Sequence, residues 1–521
     1  MYKFVFLLMG IAMPFFMNSQ GITNFDIELE EITIPNMPGL QSFAWAKTST
    51  GKWLIVCGRT DGLHDHRPPF SFPASLANDD IWVIDPISKQ VWSSPINSLS
   101  TDLKNALTAT NVEFEQVGDV LYLVGGYGVN LSSNQHETFD HITAIDVDDL
   151  ADAVINNQSI ANYFRQISDS RFQVTGGYLH RIGDVFYLIG GQNFEGRYNP
   201  HNGPSFTQTY AESIKKFKIV DNGTSIQITN YSETTDAVNL RRRDYNLSPQ
   251  IFPNGDTGLT VFTGVFQDVI DIPFFNTVDV TGSGYSVRNN FAQLLNQYHT
   301  AHAPFFDNLN NTMHTVFFGG IGMYYYDALG VLKSDSAVPF VQTISRITRF
   351  ANDSMVEIAM PQPMPGYLGA SAEFIPSDSV SLYSQSIINL NAATSKTLVG
   401  YVVGGIESTT PNVFMFSGGT SSSSSRVFKV YIEAASIGVE EAVKEPFGFE
   451  IYPNPTNDFV KLYVDELNVQ VQLFNDIGEK LDAFIAKRGE QEIDLSGRAA
   501  GVYYINLSLG DYSRISTVVK K

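Results

Sequence analysis

"DVLYLVGGYG" occupies Asp119–Gly128, and "DVFYLIGGQN" occupies Asp184–Asn193. Each is an apolar run rich in β-branched and aromatic residues, which reads as a buried strand. Each also contains a glycine pair at the strand end. Such a pair adds backbone entropy and offers nothing to pack, so it belongs where another backbone or a bulky ring must come close. Runs of this kind occur six times: "KWLIVCG" to Gly58, "VLYLVGG" to Gly126, "VFYLIGG" to Gly191, "LTVFTG" to Gly264, "HTVFFGG" to Gly320 and "VGYVVGG" to Gly405. The spacings are 68, 65, 73, 56 and 85 residues. After each comes a polar stretch and a further strand-like run: "IWVID", "HITAID", "SIKKFKI", "NTVDV", "ISRITRF" and "RVFKVYI". Another strand precedes each glycine run, as in "ATNVEFEQV" or "GGYLHRI", and several units add a short fourth, as in "QVWSSPI". Four strands repeated six times predict an all-β, six-bladed β-propeller.

An apolar run closed by Gly-Gly resembles the kelch repeat, and the resemblance covers roughly residues 25–433. Gly58 and Gly264 lack a partner glycine, and Trp92 is the one clear fourth-strand tryptophan. The ring is expected to close on itself. "VEIAMPQPMPGYLGASAEF" from Val356 and "EITIPNMPGLQSFAWA" from Glu31 share Glu-Ile, Pro and Met-Pro-Gly elements. Residues 25–34 are therefore expected to supply the outer strand of the sixth unit; a strand capping the first unit is the alternative.

The 521 residues are 43% hydrophobic and 17% charged, a globular rather than disordered profile. A net charge of −21 repels phosphate backbones, so no nucleic-acid partner is expected. Residues 1–20 carry basic Lys3, an apolar stretch from Phe4 to Phe16 and a small polar exit around Ser19, the pattern of a secretory signal peptide. No later apolar run reaches membrane-spanning length, so no transmembrane segment is expected after cleavage. Cys57 is the only cysteine; it lies inside "WLIVCG", where a buried, inert thiol is expected and no disulfide can form.

Beyond residue 433 the chain changes. Residues 434–446, "AASIGVEEAVKEP" from 434, are small, acidic and Pro-terminated, a linker. Residues 447–521 alternate strand-like runs with Gly, Asn and Asp turns, predicting a small antiparallel β-sandwich. "YPNPT" (Tyr452, Pro453, Asn454, Pro455, Thr456), "DIG" at Asp476–Gly478, "DLSGRAAGVYYI" with Gly501 and Tyr503, and terminal Lys520 and Lys521 resemble, in that order, the type A sorting domain of the type IX secretion system of Bacteroidota. The resemblance implies export across both membranes, the type IX machinery as partner, and a secreted or outer-cell-surface location. The domain boundaries expected are thus signal peptide 1–20, propeller 21–433, linker 434–446 and sorting domain 447–521.

The sequence holds no Gly-x-Ser-x-Gly elbow, His-Glu-x-x-His pair or Walker loop. His64 and His66, or His299 and His302, lack further ligands at metal-site spacing, so polar loop histidines are the better reading and neither metal nor cofactor is expected. The informative feature is the long connection between second and third strands, which in a propeller emerges on one face in every unit. Long loops on a rigid scaffold are where binding sits. Together with the lead-ins to the first strands, they nominate Arg59, His64, Arg67, Tyr127, Arg197, Tyr198, Arg243 and His299 as a ligand-binding rim. Arginines at a strand start could equally bind backbone carbonyls within the channel. "TSSSSS" at Thr420–Ser425 reads as a flexible tip. The favoured function is a non-catalytic module for a glycan or protein ligand. A sugar-processing enzyme like the bacterial sialic acid mutarotases, using Asp244, Glu195 or a rim histidine, is the second reading, and a structural adhesion protein the third.

Overall fold

The computed structural model describes residues 25–65, 68–199, 205–327, 330–384, 386–393, 395–413, 418–434, 447–475, 478–509 and 512–521. The expected signal peptide, nearly all of the linker, and Arg67, His66, Asp476 and Ile477 lie outside them. The fold is all-β. Six sheets, antiparallel except for one added parallel strand in the fifth, follow one another along the chain. Their first strands are Ala44–Lys47, Glu113–Val117, Tyr178–Ile182, Asn246–Ile251, His302–Asp307 and Glu373–Pro376. The second strands, which end at the glycines, are Trp53–Val56, Val120–Val124, Val185–Ile189, Thr257–Phe262, Thr312–Phe318 and Thr397–Val403. In the sixth sheet the outermost strand is the N-terminal Phe25–Ile32. It pairs with Val427–Ala434 from Phe25↔Ala434 to Ile32↔Val427. Arg426 with Glu31, Lys429 with Glu30 and Lys396 with Glu28 add ion pairs along this seam.

The glycine motif explains how the sheets join. The amide N–H of Gly58, Gly126, Gly191, Gly264, Gly320 and Gly405 donates to the carbonyl of Ala109, Val174, Arg242, Gln297, Leu368 and Leu40 respectively, at 2.7–3.3 Å. Each acceptor leads into the first strand of the next sheet, and the sixth bond returns to the first sheet. The motif is therefore a backbone-to-backbone joint, and it needs glycine because a carbonyl sits where a side chain would. A Cβ on Gly125 (φ +66°) would lie 2.0 Å from the Val174 carbonyl oxygen. Where the first glycine of the pair is missing, Cys57 (φ 63°) and Thr263 (φ 54°) take up the same left-handed backbone. Their side chains bond nearby carbonyls, Cys57 Sγ to Ala106 O at 3.4 Å and Thr263 Oγ1 to Gln297 O at 2.5 Å. Burial pushes the Cys57 thiol pKa well up, so it stays protonated.

Gly125→Ala is expected to cost about 3 kcal/mol, the sum of left-handed strain and displacement of the Val174 carbonyl. Gly118 has a similar φ of +59° but nothing within 4 Å of its Cβ position, so Gly118→Ala is expected to cost only about 1 kcal/mol. Urea unfolding midpoints compare the two; equal losses would mean that the close approach is not what the glycine serves.

A second cycle of bonds lies inside the first. The amides of Asn111, Gly176, Asp244, His299, Ser371 and Ser42 donate in turn to the carbonyls of Ser42, Asn111, Gly176, Asp244, His299 and Ser371, at 2.8–3.4 Å. Six residues, one from each lead-in to a first strand, thus form a closed collar.

Several connections are more ordered than their sequence suggests. The second-to-third connections fold into hairpins, Tyr127–Asn130 with Gln135–Thr138, Gln192–Gly196 with Phe206–Tyr210, and Tyr324–Tyr326 with Leu332–Ser334. The serine run is not a free tip. Ser421–Ser423 pairs with Ile406–Ser408, Ser421 Oγ accepts from the Leu63 amide at 2.9 Å, and Ser423 Oγ donates to Thr60 O at 2.8 Å. The bare backbones of Gly39 and Gly62 let it lie that close. Ile387–Asn389 runs parallel to His302–Asp307 and, with Leu382–Ser384, widens the fifth sheet to six strands.

The tail is a two-sheet sandwich. Phe449–Tyr452, Phe459–Val464 and Gly489–Asp494 form one sheet; Lys480–Ala486, Val469–Phe474, Gly501–Leu509 and Tyr512–Lys520 form the other. It has its own core, including Val460, Leu462, Val471, Leu473, Ile505 and Val518. The motif segments converge. Asn454 donates to Thr517 O at 2.6 Å and accepts from the Val519 amide at 2.9 Å. The Lys521 amide bonds Thr456 O at 2.9 Å, and Lys520 Nζ is held by the carbonyls of Ser496 and Arg498. Tyr452 OH reaches Glu490 and Tyr503 OH reaches Ala499 O, both at 2.6 Å.

Candidate functional site

A cavity of about 330 Å³ opens on the face carrying the second-to-third connections. Its floor is the collar, of which Ser42, Asn111, Asp244, His299 and Ser371 face the space. Aromatic rings make two walls. On one side the connections of the first three sheets bring together His64, Phe72, Tyr127, Phe194 and Tyr198. His64 stacks on Phe72 with centroids 4.5 Å apart, Phe72 meets Tyr127 edge-on at 5.2 Å, and Tyr127 meets Phe194 at 5.4 Å. On the other side stand Phe266 and Tyr298, 6.2 Å apart. Gln41, Asn111, Gln192 and Gln208 add amide groups, and Ile321, Val338, Ala370 and Ile406 complete an apolar flank.

Of the eight residues nominated from sequence, five line this cavity: His64, Tyr127, Tyr198, Arg243 and His299. Arg59 is only 4% exposed and does not line it. Its guanidinium grips Asp61 at 2.7 and 2.8 Å and lies 5.3 Å from the Phe72 ring, bracing the loop that presents Phe72. Arg197 stands behind the wall, 3.3 Å from His136 Nε2. Arg67 is outside the described residues. The neighbouring Arg242 is buried and bonds the carbonyls of Asn239, Thr263 and Asn276, the structural role open to strand-start arginines. Phe72, Phe194, Phe266 and Tyr298 were missed because rings within apolar-looking loops carry no periodic signal. The collar positions had one, since each stands at a fixed place before a first strand.

The charges at the floor are paired. Arg243 and Asp244 form an ion pair, and Arg243 Nε also donates to Tyr210 OH at 3.1 Å. Burial opposes the guanidinium charge, but Asp244, helped by Tyr210 and Tyr298, offsets it and holds the Arg243 pKa above its ordinary value. His299 Nε2 lies 3.1 Å from Glu373 Oε1, whose other oxygen accepts from Trp45 Nε1 at 3.3 Å. Burial pushes the phenols of Tyr127 and Tyr298 up, so both remain neutral. Glu195, a carboxylate considered for catalysis, accepts from Gln173 and does not face the cavity, whereas Asp244 does.

Below the collar a chamber of about 160 Å³ shares Asn111, Asp244 and His299 with the upper cavity. Glu113 lies there, buried, with Oε1 accepting from the Gly177 amide at 2.7 Å. Burial drives its carboxyl pKa well above the usual range. Among the described residues no three His, Cys, Asp or Glu gather as metal ligands.

A site with paired charges on its floor, the Asp271 carboxylate on its wall, aromatic faces and several amides suits a ligand that offers both apolar faces and many hydroxyls. The Arg243–Asp244 pair presents acceptor as well as donor, so it discriminates less strongly for a lone carboxylate than an unpaired arginine would.

Residues 450–521 match the family described as the secretion system C-terminal sorting domain. The tail marks the protein as secreted or attached to the outer cell surface. No curated protein matches the chain. A solved structure described as "Structure of YjhT" is similar at 10% identity, covering 77% of this chain and 99% of its own, with a TM-score of 0.42. Among the described residues no helix is long and apolar enough to cross a membrane.

Proposed function

We propose that this is a type IX-exported, kelch-type binding protein whose upper cavity holds a neutral glycan. The observation that carries the reading is the pair of aromatic walls above a charge-compensated, amide-bearing floor. Aromatic rings pack against the C–H faces of a sugar, while the amides of Gln41, Asn111, Gln192 and Gln208 exchange hydrogen bonds with its hydroxyls. The collar gives the ligand a backbone floor, so binding occurs from one face. Export rests on the sorting tail.

The test is a glycan array probed with the full chain, followed by calorimetry on each ligand found. Phe72→Ala and Gln208→Ala are expected to weaken a true ligand about tenfold each, roughly 1.4 kcal/mol, with little change in the unfolding midpoint. Failure to bind any glycan, or an affinity unchanged from wild type in both variants, would refute the assignment.

The His299–Glu373 pair, on the same floor as Asp244, favours a second reading in which the bound sugar is also processed by acid–base chemistry. NMR of each array ligand with wild type and His299→Gln decides it. Turnover by wild type that is lost in His299→Gln supports catalysis; an unchanged sugar spectrum with wild type rejects it.

A further inference from the structure

We propose that the chamber below the collar is a second binding site, for a small primary ammonium ion. All six first strands contribute to its lining, through Trp45, Glu113, Tyr178, Leu247, His302 and Phe374. The site therefore lies wholly within the ring. Four carboxyl groups face it, Glu113, Glu115, Asp244 and Glu373, and among the described residues no lysine or arginine does. Three of the four are answered. Glu115 is 2.8 Å from His180 Nδ1, Glu373 takes His299 and Trp45, and Asp244 is paired with Arg243 of the upper cavity. Glu113 is the exception. It is only 2% exposed, and its Oε2 has no hydrogen-bond partner among the described residues, although Oε1 accepts from the Gly177 amide. Glycines leave room around it: a Cβ on Gly125 would lie 3.2 Å from Oε2, and one on Gly177 3.3 Å from Oε1. The cations within reach are engaged elsewhere. Lys215 Nζ donates to Arg171 O at 2.6 Å, and His302 turns both ring nitrogens to the carbonyls of Thr300 and Leu247, each at 3.0 Å.

A buried carboxylate needs a counter-charge and N–H or O–H donors, and an ammonium group brings both. Burial, with Asp244 adding to it, raises the Glu113 pKa, the response of a carboxyl group that lacks a cation beside it. The surroundings select among cations. No three His, Cys, Asp or Glu converge as metal ligands among the described residues, so a bare metal ion finds too few donors. The rings of Trp45, Phe114 and Tyr178 line the chamber and offer faces to an organic cation. Leu247, Pro249 and Pro304 supply apolar surface for its carbon chain, and a volume of about 160 Å³ keeps that chain short. A quaternary ammonium would suit the rings but has no N–H for Glu113 Oε2, which is why the primary ion is preferred.

The test is calorimetry of the full chain with propylammonium chloride at pH 7 and fixed ionic strength. Saturable binding at one site is expected. Tetramethylammonium, potassium and calcium chlorides are each expected to bind at least tenfold more weakly, and Glu113→Gln, which keeps the shape and removes the charge, is expected to weaken propylammonium about tenfold. Unfolding midpoints establish that the variant is folded. Should it not fold, the ranking of the four cations on wild type and a crystal structure of wild type with propylammonium decide the matter, and the ammonium nitrogen is expected beside Glu113. Lack of saturable binding would overturn the proposal, as would propylammonium binding no tighter than tetramethylammonium or a metal ion. An affinity unchanged in folded Glu113→Gln, or a crystal showing the ion elsewhere or only water beside Glu113, would equally overturn it. No glycan enters any of these measurements, so the outcome is separate from that of the upper cavity.

Discussion

Removal of residues 447–521 is expected to abolish delivery to the cell surface and medium, leaving a folded ring in the periplasm of a host with the type IX system. The ring closes without the tail. Both cycles of inter-sheet hydrogen bonds run through residues 40–405, and the sixth sheet is completed by Phe25–Ile32. The tail in turn fills its own core, and of its buried apolar residues Phe474 joins a cluster of the ring instead. What the ring loses is the packing of Phe474 and Tyr504 against Tyr324 and Phe275. Fractionation with antibody detection measures location, and protease resistance of the periplasmic product separates failed export from failed folding. A protease-resistant ring reaching the medium at the full-length level would show that the tail is not the address. A gentler version is Asn454→Ala, which unlatches "YPNPT" from the terminal strand at Thr517 and Val519 and should lower export without touching the ring.

The repeat was legible because each joint between successive sheets imposes the same demand. The glycine at the end of each second strand answers one steric requirement, so strand order and the N-terminal strand's place could be read from spacing and from the matched Met-Pro-Gly segments. Of the two close approaches expected at the glycines, a backbone or a ring, Gly125 shows the backbone one: the Val174 carbonyl is its nearest neighbour. The site was half legible. His299 and Arg243 stand at fixed offsets before a first strand, where the collar forms, and so were found. Phe72 and Phe266 are placed by loop conformation and by braces such as Arg59 on Asp61, which no period encodes. The tail's docking was invisible for another reason. Phe474 and Tyr504 read as ordinary strand residues, and only the outward turn of Phe474 after Leu473, where the strand register shifts, reveals a covered second face.

Arg349→Ala is expected to cost about 3–5 kcal/mol at neutral pH, because it strands a buried carboxylate between two sheets. Arg349 is on the third strand of the fifth sheet and Asp279 on the third strand of the fourth. Both side chains are nearly inaccessible, at 1% and 4% exposure. The guanidinium meets Asp279 in a two-point contact of 2.6 and 2.9 Å and reaches Asp353 at 3.0 Å. Thr260 Oγ1 and Arg288 Nε satisfy Asp279 further, each at 2.6 Å. Burial alone would raise the Asp279 pKa, but Arg349, helped by Thr260 and Arg288, carries it below the ordinary carboxylate value. A depressed folded-state pKa stabilises the fold above the unfolded value near about 4, and that contribution fades as pH falls through the folded value. Without Arg349 the burial penalty dominates, Asp279 titrates higher, and protonation relieves the stranded charge. The deficit of Arg349→Ala relative to wild type should therefore shrink as pH is lowered from 7 toward 4. Adding Asp279→Asn should recover part of the loss at pH 7, since the charge that needed Arg349 is then gone. Urea unfolding of the single and double variants at both pH values measures this. A neutral-pH cost below about 1 kcal/mol, the size of an exposed ion pair, or a deficit that does not change with pH would show that the fourth and fifth sheets are held by their apolar contacts and backbone joints, with the arginine as a bystander.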